Sequence, residues 1–367
     1  MIPFVDLKAQ YQMIQDEVHV QMQDVLNRTN FILGDAVVEF EKKFATFCDA
    51  AYCVGVASGT DALHLSLKAL GVGPGDEVIV PANTFVATVL AVSYAGARPV
   101  LVDVEPHSYN MDLELLQKRI TPKTKAIIPV HLYGRPVDMN RLCAIARHHG
   151  ITIVEDDCQA HGAMWQGRKV GSFGLMGCFS FYPGKNLGAY GDGGAVVTSD
   201  EKLANTLRML RNYGSPKKYS HDFIGFNSRL DTIQASVLNV KLKYLDDWNK
   251  KRFQNAKLYN HKLESVGDIV VPDLDGVNSH VFHLYVIRTK KRDELLRFLN
   301  DHQVQAGIHY PIPIYRLKAY EFLGENKNDF PVTEQFSQEI LSLPMFAELT
   351  ETQIDEVVGL IKEFFNR

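Results

Sequence analysis

The sequence is poor in cysteine and tryptophan and has no long hydrophobic run. Its 367 residues include 5 cysteines and 2 tryptophans, and no Cys-x-x-Cys pair occurs. An odd number of scattered thiols argues against a disulfide framework and against a structural zinc site, so we expect reduced cysteines that serve packing. The apolar stretch 85–104 is interrupted by Arg98, Pro99 and Asp103, which makes it unsuitable as a membrane span.

The sequence also lacks an excess of charge of either sign. Its 39 basic and 43 acidic residues give a net charge of −4, so nothing indicates nucleic acid or a membrane surface as a partner. The opening segment, Met-Ile-Pro-Phe-Val-Asp-Leu-Lys, has no basic region followed by an apolar core, as a secretory signal would have. We therefore expect a cytoplasmic protein.

What the sequence does contain is a regular alternation of short apolar runs and amphipathic segments. Two helices are predicted at 11–26 and 40–47 from the spacing of their apolar residues. Strands are then predicted at 52–57, 77–80, 99–104, 125–130 and 151–155, and helices at 62–67, 85–95, 112–119 and 138–149. This order favours an α/β fold with a largely parallel sheet between helices. Ligands of such sheets bind beyond the carboxyl ends of the strands.

The second half of the chain predicts a further, smaller unit. Helices are expected at 201–212, 229–263, 292–303 and 350–366, and strands at 280–288 and 304–310. The long helical segment 229–263 is expected to join two domains. We predict a large domain over 1–245 and a smaller α/β domain over 246–367.

Lys185 stands out because it follows an apolar run that ends at Phe181 and lies in a loop with five glycines between 184 and 194. Burial against an apolar wall disfavours the ammonium form and makes an amine nucleophilic. A surface lysine in a glycine loop is the alternative. Ser58-Gly59-Thr60-Asp61 similarly suits either an anion cradle at a helix start or a simple helix cap.

The acidic run 155–161, Glu-Asp-Asp-Cys-Gln-Ala-His, follows a predicted strand, so its carboxylates lie at the carboxyl end of that strand. A metal site would need supporting ligands, and no His-Glu-x-x-His or second Cys/His pair is present, so we expect no metal. A carboxylate that pairs with a buried cationic ring nitrogen is the better hypothesis.

Six motifs, in this order, resemble the DegT/DnrJ/StrS-type sugar-nucleotide aminotransferases. They are Ser-Gly-Thr-Asp-Ala-Leu (58–63), Pro-Ala-Asn-Thr-Phe-Val-Ala-Thr (81–88), Glu-Asp-x-x-Gln-Ala-His-Gly (155–162), Phe-Ser-Phe-Tyr-Pro-Gly-Lys-Asn-Leu-Gly (179–188), Gly-Asp-Gly-Gly-Ala (191–195) and Gly-Phe-Asn-Ser-Arg-Leu-Asp (225–231). The resemblance implies fold type I of the pyridoxal-phosphate enzymes, with a mainly parallel seven-stranded sheet in the large domain. It also implies a homodimer with shared active sites.

The resemblance assigns cofactor-binding roles residue by residue. Lys185 would carry pyridoxal 5′-phosphate as an internal aldimine and also move protons, and Asp156 would face the ring nitrogen. Gln159 would lie beside the ring hydroxyl and Phe85 would stack on the ring. The residues implied to hold the phosphate are Gly59, Thr60, Ser180 and, from the neighbouring subunit, Asn227.

The reaction implied is a ping-pong transfer from L-glutamate, through pyridoxamine 5′-phosphate, to a nucleotide-linked keto sugar. The segments 212–219 and 307–311 look like those of relatives that aminate carbon 3. The expected acceptor is therefore a dTDP-3-oxo-6-deoxyhexose, converted to a dTDP-3-amino-3,6-dideoxyhexose. The residues expected to contact it are Tyr182, Lys218, His309 and Tyr310; packing of these side chains in loops and strands is the alternative.

The sequence departs from the family pattern at two places, and three alternative functions are considered. Asp157-Cys158 replaces small residues, and Tyr315 stands where many relatives carry histidine. A sugar 3-dehydratase would have histidine in place of Lys185. A regulatory relative without turnover would be expected to lose Lys185 or Asp156. An aminotransferase for a 4-keto or a UDP-linked sugar stays open.

Overall fold

The computed structural model describes residues 1–217, 219–274 and 279–367. Its α-helices are α1 (Leu7–Arg28), α2 (Asp35–Phe47), α3 (Gly59–Ala69), α4 (Val86–Ala95), α5 (Leu113–Arg119), α6 (Met139–His149), α7 (Glu201–Leu210), α8 (Thr232–Lys241), α9 (Leu245–Lys262), α10 (Arg292–Asp301), α11 (Pro331–Glu339) and α12 (Glu351–Asn366). Its strands are β1 (Tyr52–Val56), β2 (Glu77–Pro81), β3 (Arg98–Val102), β4 (Thr124–Ile127), β5 (Thr152–Asp156), β6 (Met164–Trp165), β7 (Arg168–Lys169), β8 (Met176–Ser180), β9 (Gly194–Thr198), β10 (Tyr285–Arg288) and β11 (Ile340–Leu343).

The main sheet confirms the predicted α/β class. Among the described residues it has seven strands, in the order β1-β9-β8-β5-β4-β2-β3. Neighbours from β8 to β3 pair in parallel, whereas β9 runs antiparallel to both β1 and β8. In β2, Val78 and Val80 pack into the core on one face of the sheet and Ile79 packs into the core on the other. Both faces are thus buried, which is why the strands appear in the sequence as continuous apolar runs.

The direction of the strands places the loops of interest at one edge of the sheet. β1 ends at Val56, β2 at Pro81, β5 at Asp156 and β8 at Ser180. Because these strands run the same way, the segments that follow them meet at their carboxyl ends. Four of the six sequence motifs, at 58–63, 81–88, 155–162 and 179–188, lie at or just after these strand ends.

The C-terminal part has its own small sheet and its own core. β10 and β11 pair antiparallel, with Tyr285 opposite Leu343, and apolar residues of α9, α10 and α12 pack around them together with Ile2. No helix of the described residues combines the length and apolar character needed to cross a membrane. The division at 245/246 stays a prediction.

One predicted strand is wrong and another is shorter than expected. Residues 304–310 form no strand; Val304 bridges to Ile2 and Gly307 bridges to Ser342. The pairing partner changes within three residues, and Pro311 and Pro313 beyond the segment have no N–H to donate. The strand expected over 280–288 is limited to β10. Its partner β11 was not predicted.

Candidate active site

A cavity of about 560 Å³ opens at the carboxyl edge of the main sheet. Ten of the twelve residues selected from the sequence line it, and they come from loops after four different strands as well as from the C-terminal part. They are Gly59, Thr60, Phe85, Asp156, Gln159, Ser180, Tyr182, Lys185, His309 and Tyr310. The sheet therefore brings together residues that are up to 251 positions apart in the sequence.

Lys185 lies in the loop after β8, where its backbone N–H donates to the Tyr182 carbonyl at 2.9 Å. Burial lowers the pKa of Lys185, while the nearby Cys158 and Asp156 act in the opposite direction. The loop is fixed from behind by Lys241 of α8, whose Nζ donates to the Gly188 carbonyl at 2.7 Å. The loop of Lys185 is thus held by hydrogen bonds. Its surroundings raise the share of the neutral, nucleophilic amine above that of an exposed lysine.

Asp156 is the last residue of β5 and is 5% exposed. Its Oδ2 accepts a hydrogen bond from the Thr88 hydroxyl at 2.8 Å, and its Oδ1 accepts one from the Cys158 N–H at 3.2 Å. The hydroxyls of Thr84 and Thr88 are also 2.8 Å apart. Neither threonine was expected in the site, although both belong to the motif at 81–88 and Thr88 lies in the first turn of α4.

The start of α3 is both a capped helix and a close-packed cradle. The Ser58 hydroxyl accepts from the Asp61 N–H at 3.1 Å, as a cap does. Ser58, Gly59 and Thr60 line the cavity, and the first N–H groups of a helix have no acceptor within the helix. A Cβ on Gly59 would lie 2.6 Å from Ser180 Cβ and 2.8 Å from Cys158 Sγ, so only glycine fits there. The motif at 58–61 can therefore serve both as a helix cap and as an anion cradle.

Gln159 connects the sheet edge to the aromatic side of the cavity. Its Oε1 accepts from the Tyr133 N–H at 2.7 Å and its Nε2 donates to the Tyr310 hydroxyl at 3.1 Å. The ring of Tyr310 is 5.1 Å from that of Phe85, which is 48% exposed towards the cavity opening. Burial, with a further contribution from Asp156, raises the pKa of Tyr310, so its hydroxyl stays protonated.

His309 is held as a neutral ring in the wall of the cavity. Its Nδ1 is 2.9 Å from the Ser342 hydroxyl, and the ring of Phe4 stacks on it at 5.3 Å. Burial, together with the charge of Lys185, lowers the pKa of His309 to about 4. His283, which was not selected from the sequence, also lines the cavity, and burial and Lys185 lower its pKa as well.

Two residues singled out from the sequence, Asn227 and Tyr315, do not line the cavity. Asn227 is exposed and bridges to Asn212, and Lys218 lies outside the described residues. Tyr315 stacks on Phe330 at 4.5 Å and donates to a Glu334 carboxylate oxygen at 2.7 Å. The departure at Tyr315 therefore affects packing next to the main sheet and does not touch the cavity.

The acidic run contributes a buried cluster behind Asp156. His131 Nε2 lies 3.2 Å from Glu155 Oε2 and 3.4 Å from Asp157 Oδ1. The Val137 N–H donates to His131 Nδ1 at 3.0 Å, so the proton of the neutral ring is on Nε2, which then donates and cannot ligate a cation. This geometry is that of a hydrogen-bonded cluster and not of a metal site.

The comparison with known proteins identifies the family. A profile of the DegT/DnrJ/EryC1/StrS aminotransferase family matches residues 12–362. The chain belongs to this family. The family resemblance seen in the six motifs is confirmed, and the chain is an aminotransferase.

Two curated relatives and one solved structure illustrate the similarity to this family. The erythromycin biosynthesis sensory transduction protein EryC1 of Saccharopolyspora erythraea is 48% identical over 361 residues, 98% of this chain and 99% of the relative. The dTDP-3-amino-3,6-dideoxy-alpha-D-galactopyranose transaminase of Aneurinibacillus thermoaerophilus is 45% identical over 364 residues, 99% of each chain. The X-ray structure of S. venezuelae DesV in complex with a ketimine intermediate is 45% identical, with a TM-score of 0.97 and coverage of 100% of this chain and 99% of that one.

Aminotransferases of this family use pyridoxal 5′-phosphate, and the chemistry of the cavity fits it. Lys185 offers an amine whose pKa is lowered, and Asp156 offers a buried carboxylate for a cationic ring nitrogen. Gly59 and Thr60 at the start of α3 line the cavity, where a helix N-terminus suits a phosphate. Phe85 offers an exposed ring face.

Proposed function

We propose that this aminotransferase moves an amino group from L-glutamate to a dTDP-3-oxo-6-deoxyhexose and so makes a dTDP-3-amino-3,6-dideoxyhexose. The observation that carries the proposal is that the Lys185 amine, the Asp156 carboxylate and the start of α3 face one cavity. The relative named for a dTDP-3-amino-3,6-dideoxyhexose supports the sugar and the nucleotide. The five cysteines are free thiols, which suits a reaction in the reducing cytoplasm.

We assign the cofactor contacts as follows. Lys185 attaches the cofactor through its amine, and Asp156 faces the ring nitrogen. Phe85 stacks on the ring and Gln159 lies beside the ring hydroxyl. The phosphate is held at the start of α3 and by the hydroxyl at the end of β8, that is, by Gly59, Thr60 and Ser180.

The bound cofactor supplies an electron sink for the pair released when a Cα–H bond breaks. Lys185 takes that proton and returns it elsewhere, since burial lowers the pKa of its amine and so raises the share of the neutral form that can act as a base. Two hydrogen bonds, from the Thr88 hydroxyl and the Cys158 N–H, hold the Asp156 carboxyl in place at the buried end of the site.

Keto-sugar binding is assigned to the outer part of the cavity. Tyr182 is 61% exposed at its opening. His309 and Tyr310 form the adjoining wall. Lys218 is assigned to the diphosphate from the sequence alone.

The active site is proposed to be shared between two subunits, with Asn227 reaching the phosphate in the partner. Asn227 is exposed and next to it lie exposed apolar side chains, Phe223 at 38% and Ile224 at 92%. Mixing Lys185→Ala with Asn227→Asp protein under exchange conditions tests this. Hybrid dimers would contain one intact site, so activity should return; if the sites are not shared, the mixture stays as inactive as its parts.

The proposed chemistry is tested by the absorption spectrum of the protein reconstituted with pyridoxal 5′-phosphate. Glutamate should convert the visible band to that of the pyridoxamine form, and borohydride should fix the cofactor to the peptide with Lys185, but not in Lys185→Ala. Pyridoxamine-form protein is then offered 3-keto and 4-keto sugars linked to dTDP or UDP. Turnover of only 4-keto or UDP-linked sugars would overturn the substrate, and a folded protein without cofactor binding would favour a regulatory role.

A further inference from the structure

Four rings form an unbroken row along one side of the cavity. The ring centroids are 5.1 Å apart between Phe85 and Tyr310, 5.7 Å between Tyr310 and His309, and 5.3 Å between His309 and Phe4. We call this row the aromatic wall. It extends from the ring that we assign to the cofactor to a residue near the start of the chain.

Phe4 belongs to an N-terminal arm, residues 2–6, that is built into the C-terminal part. The Ile2 N–H donates to the Gln303 carbonyl at 2.8 Å, and the Gln305 N–H donates to the Ile2 carbonyl at 3.0 Å. The Phe4 N–H donates to the Gln305 side-chain oxygen at 3.1 Å, and the Ile2 side chain is buried. At its other end, the Asp6 carboxylate caps α1. Both ends of the arm are fixed, so Phe4 is held in place.

The end of the cavity formed by the arm is apolar. Phe4, Val5 and Leu7 contribute hydrocarbon surface there. Of the lining residues that the structure describes, Lys185 is the one lysine or arginine, and His309 is neutral above a pH of about 4. A hydroxyl or carboxylate pressed against this surface would lose hydrogen bonds to water and gain none from these side chains.

We propose that Phe4 is a specificity-determining residue that receives the deoxygenated edge of the acceptor, the methyl group on carbon 6 of the sugar. This inference rests on the proposed function, since it places a keto sugar along the aromatic wall. A methyl group gains from contact with the Phe4 ring. A hydroxymethyl group or a carboxylate at the same position is disfavoured.

The test compares two acceptors that differ only at carbon 6, a dTDP-3-oxo-6-deoxyhexose and its 6-hydroxy counterpart. The wild-type protein should prefer the 6-deoxy sugar by roughly 10- to 100-fold in kcat/KM. Phe4→Ala should reduce this preference to about threefold or less, mainly through a higher KM for the 6-deoxy sugar. Phe4→Leu, which keeps an apolar side chain, should retain most of it. Phe322→Ala removes a phenylalanine that is 66% exposed and does not line the cavity, and serves as the matched control.

The preference is the ratio of kcat/KM for the two acceptors, measured on the same protein sample. A partial loss of folded protein or of cofactor lowers both values equally and so leaves the ratio unchanged. If wild-type protein converts glutamate and a keto sugar but Phe4→Ala keeps the full preference, the inference about Phe4 is wrong and the proposed function stands. If wild-type protein converts glutamate but no keto sugar, the proposed acceptor fails and this inference fails with it.

Discussion

Thr88 donates a hydrogen bond of 2.8 Å from its hydroxyl to Oδ2 of Asp156, and both side chains are almost completely buried. The Thr84 hydroxyl continues this chain of hydrogen bonds at 2.8 Å. The carboxylate that we assign to the ring nitrogen is thus oriented by the first turn of α4. Its geometry depends on a helix that carries none of the reacting groups.

Removing the Thr88 hydroxyl should weaken catalysis more than folding. Thr88→Val keeps the shape but loses a hydrogen bond to a charged group, a change of about 1.5–3 kcal/mol, or roughly 10- to 100-fold in rate. We expect this loss in kcat/KM for the glutamate half-reaction, together with weaker binding of the cofactor measured by fluorescence titration.

Two further variants make this test specific. Thr88→Ser restores the hydroxyl and should restore most of the activity. Ser93→Ala removes a hydroxyl from the same helix that bonds to Val89 and Tyr320 instead. It should leave the half-reaction within about twofold, because Ser93 does not line the cavity. Equal losses in Thr88→Val and Ser93→Ala would show that α4 matters only for packing.

Gly59 should be intolerant of any side chain. In Gly59→Ala the new Cβ would lie 2.6 Å from Ser180 Cβ, so the start of α3 must move away from the end of β8. We expect at least a roughly tenfold loss of affinity for pyridoxal 5′-phosphate with an unchanged far-ultraviolet circular dichroism spectrum. Gly359→Ala is the matched control, because a Cβ there meets nothing within 4 Å and should stabilise α12 by about 0.5–1 kcal/mol. Unchanged cofactor affinity in Gly59→Ala would contradict the proposed phosphate site.

The main sheet and much of the site could be predicted because their signals are local. Each buried strand is a short apolar run, and Asp156 and Ser180 end such runs. The rule that ligands bind at carboxyl ends then selects the right loops. The roles given to Lys185 and Asp156 came from the family resemblance, and the structure brings both residues into one cavity.

The remaining features depend on contacts between distant segments. Phe4 meets His309 across 305 positions of sequence, and no spacing rule connects them. The segment 304–310 has a strand-like composition but bridges to Ile2 and then to Ser342, so local propensity was overridden by tertiary pairing. Thr88 was missed because a threonine in a helix has many ordinary uses.

Asp103 is predicted to anchor the C-terminal part to the main sheet. It follows β3 and accepts three hydrogen bonds at the start of α11, from the Val332 N–H and from the N–H and hydroxyl of Thr333, at 2.6–2.9 Å. Asp103→Ala would leave these donors without an acceptor in a buried place and should lower the free energy of unfolding by about 2–4 kcal/mol in urea. Asp112→Ala removes a more exposed helix cap and should cost about 1 kcal/mol. We therefore predict a larger loss of stability for Asp103→Ala than for Asp112→Ala. A larger loss for Asp112→Ala would contradict this prediction.

We expect the buried Asp157 to hold a proton in the folded protein. Its side chain is fully buried, and within the described residues neither of its carboxylate oxygens has a hydrogen-bond partner. Glu155, by contrast, accepts from the N–H groups of Gly171 and Gly174 at 2.9 and 2.6 Å. Burial, followed by the charges of Glu155 and Asp156, raises the pKa of Asp157 well above its usual value of 3.8. His131 Nε2 lies 3.4 Å from Asp157 Oδ1, and the buried thiols of Cys48 and Cys178 are also near enough to interact with this carboxyl.

The sign of the effect on stability follows from proton counting. Above pH 4 the unfolded chain loses the Asp157 proton but the folded protein keeps it, so stability falls as the pH rises towards the folded pKa. One such group contributes a slope of up to about 1.4 kcal/mol per pH unit. Asp157→Asn is neutral in both states and removes this slope. The variant should therefore be more stable than wild type at pH 8, by a margin that shrinks as the pH approaches 4.

Urea unfolding of wild type and Asp157→Asn at several values between pH 5 and 8 measures this margin. Asp247→Asn, at an exposed aspartate paired with Lys250, controls for the loss of one negative charge and should show a difference from wild type that does not grow with pH. A margin for Asp157→Asn that is constant or negative would mean that the Asp157 carboxyl is ionised in the folded protein.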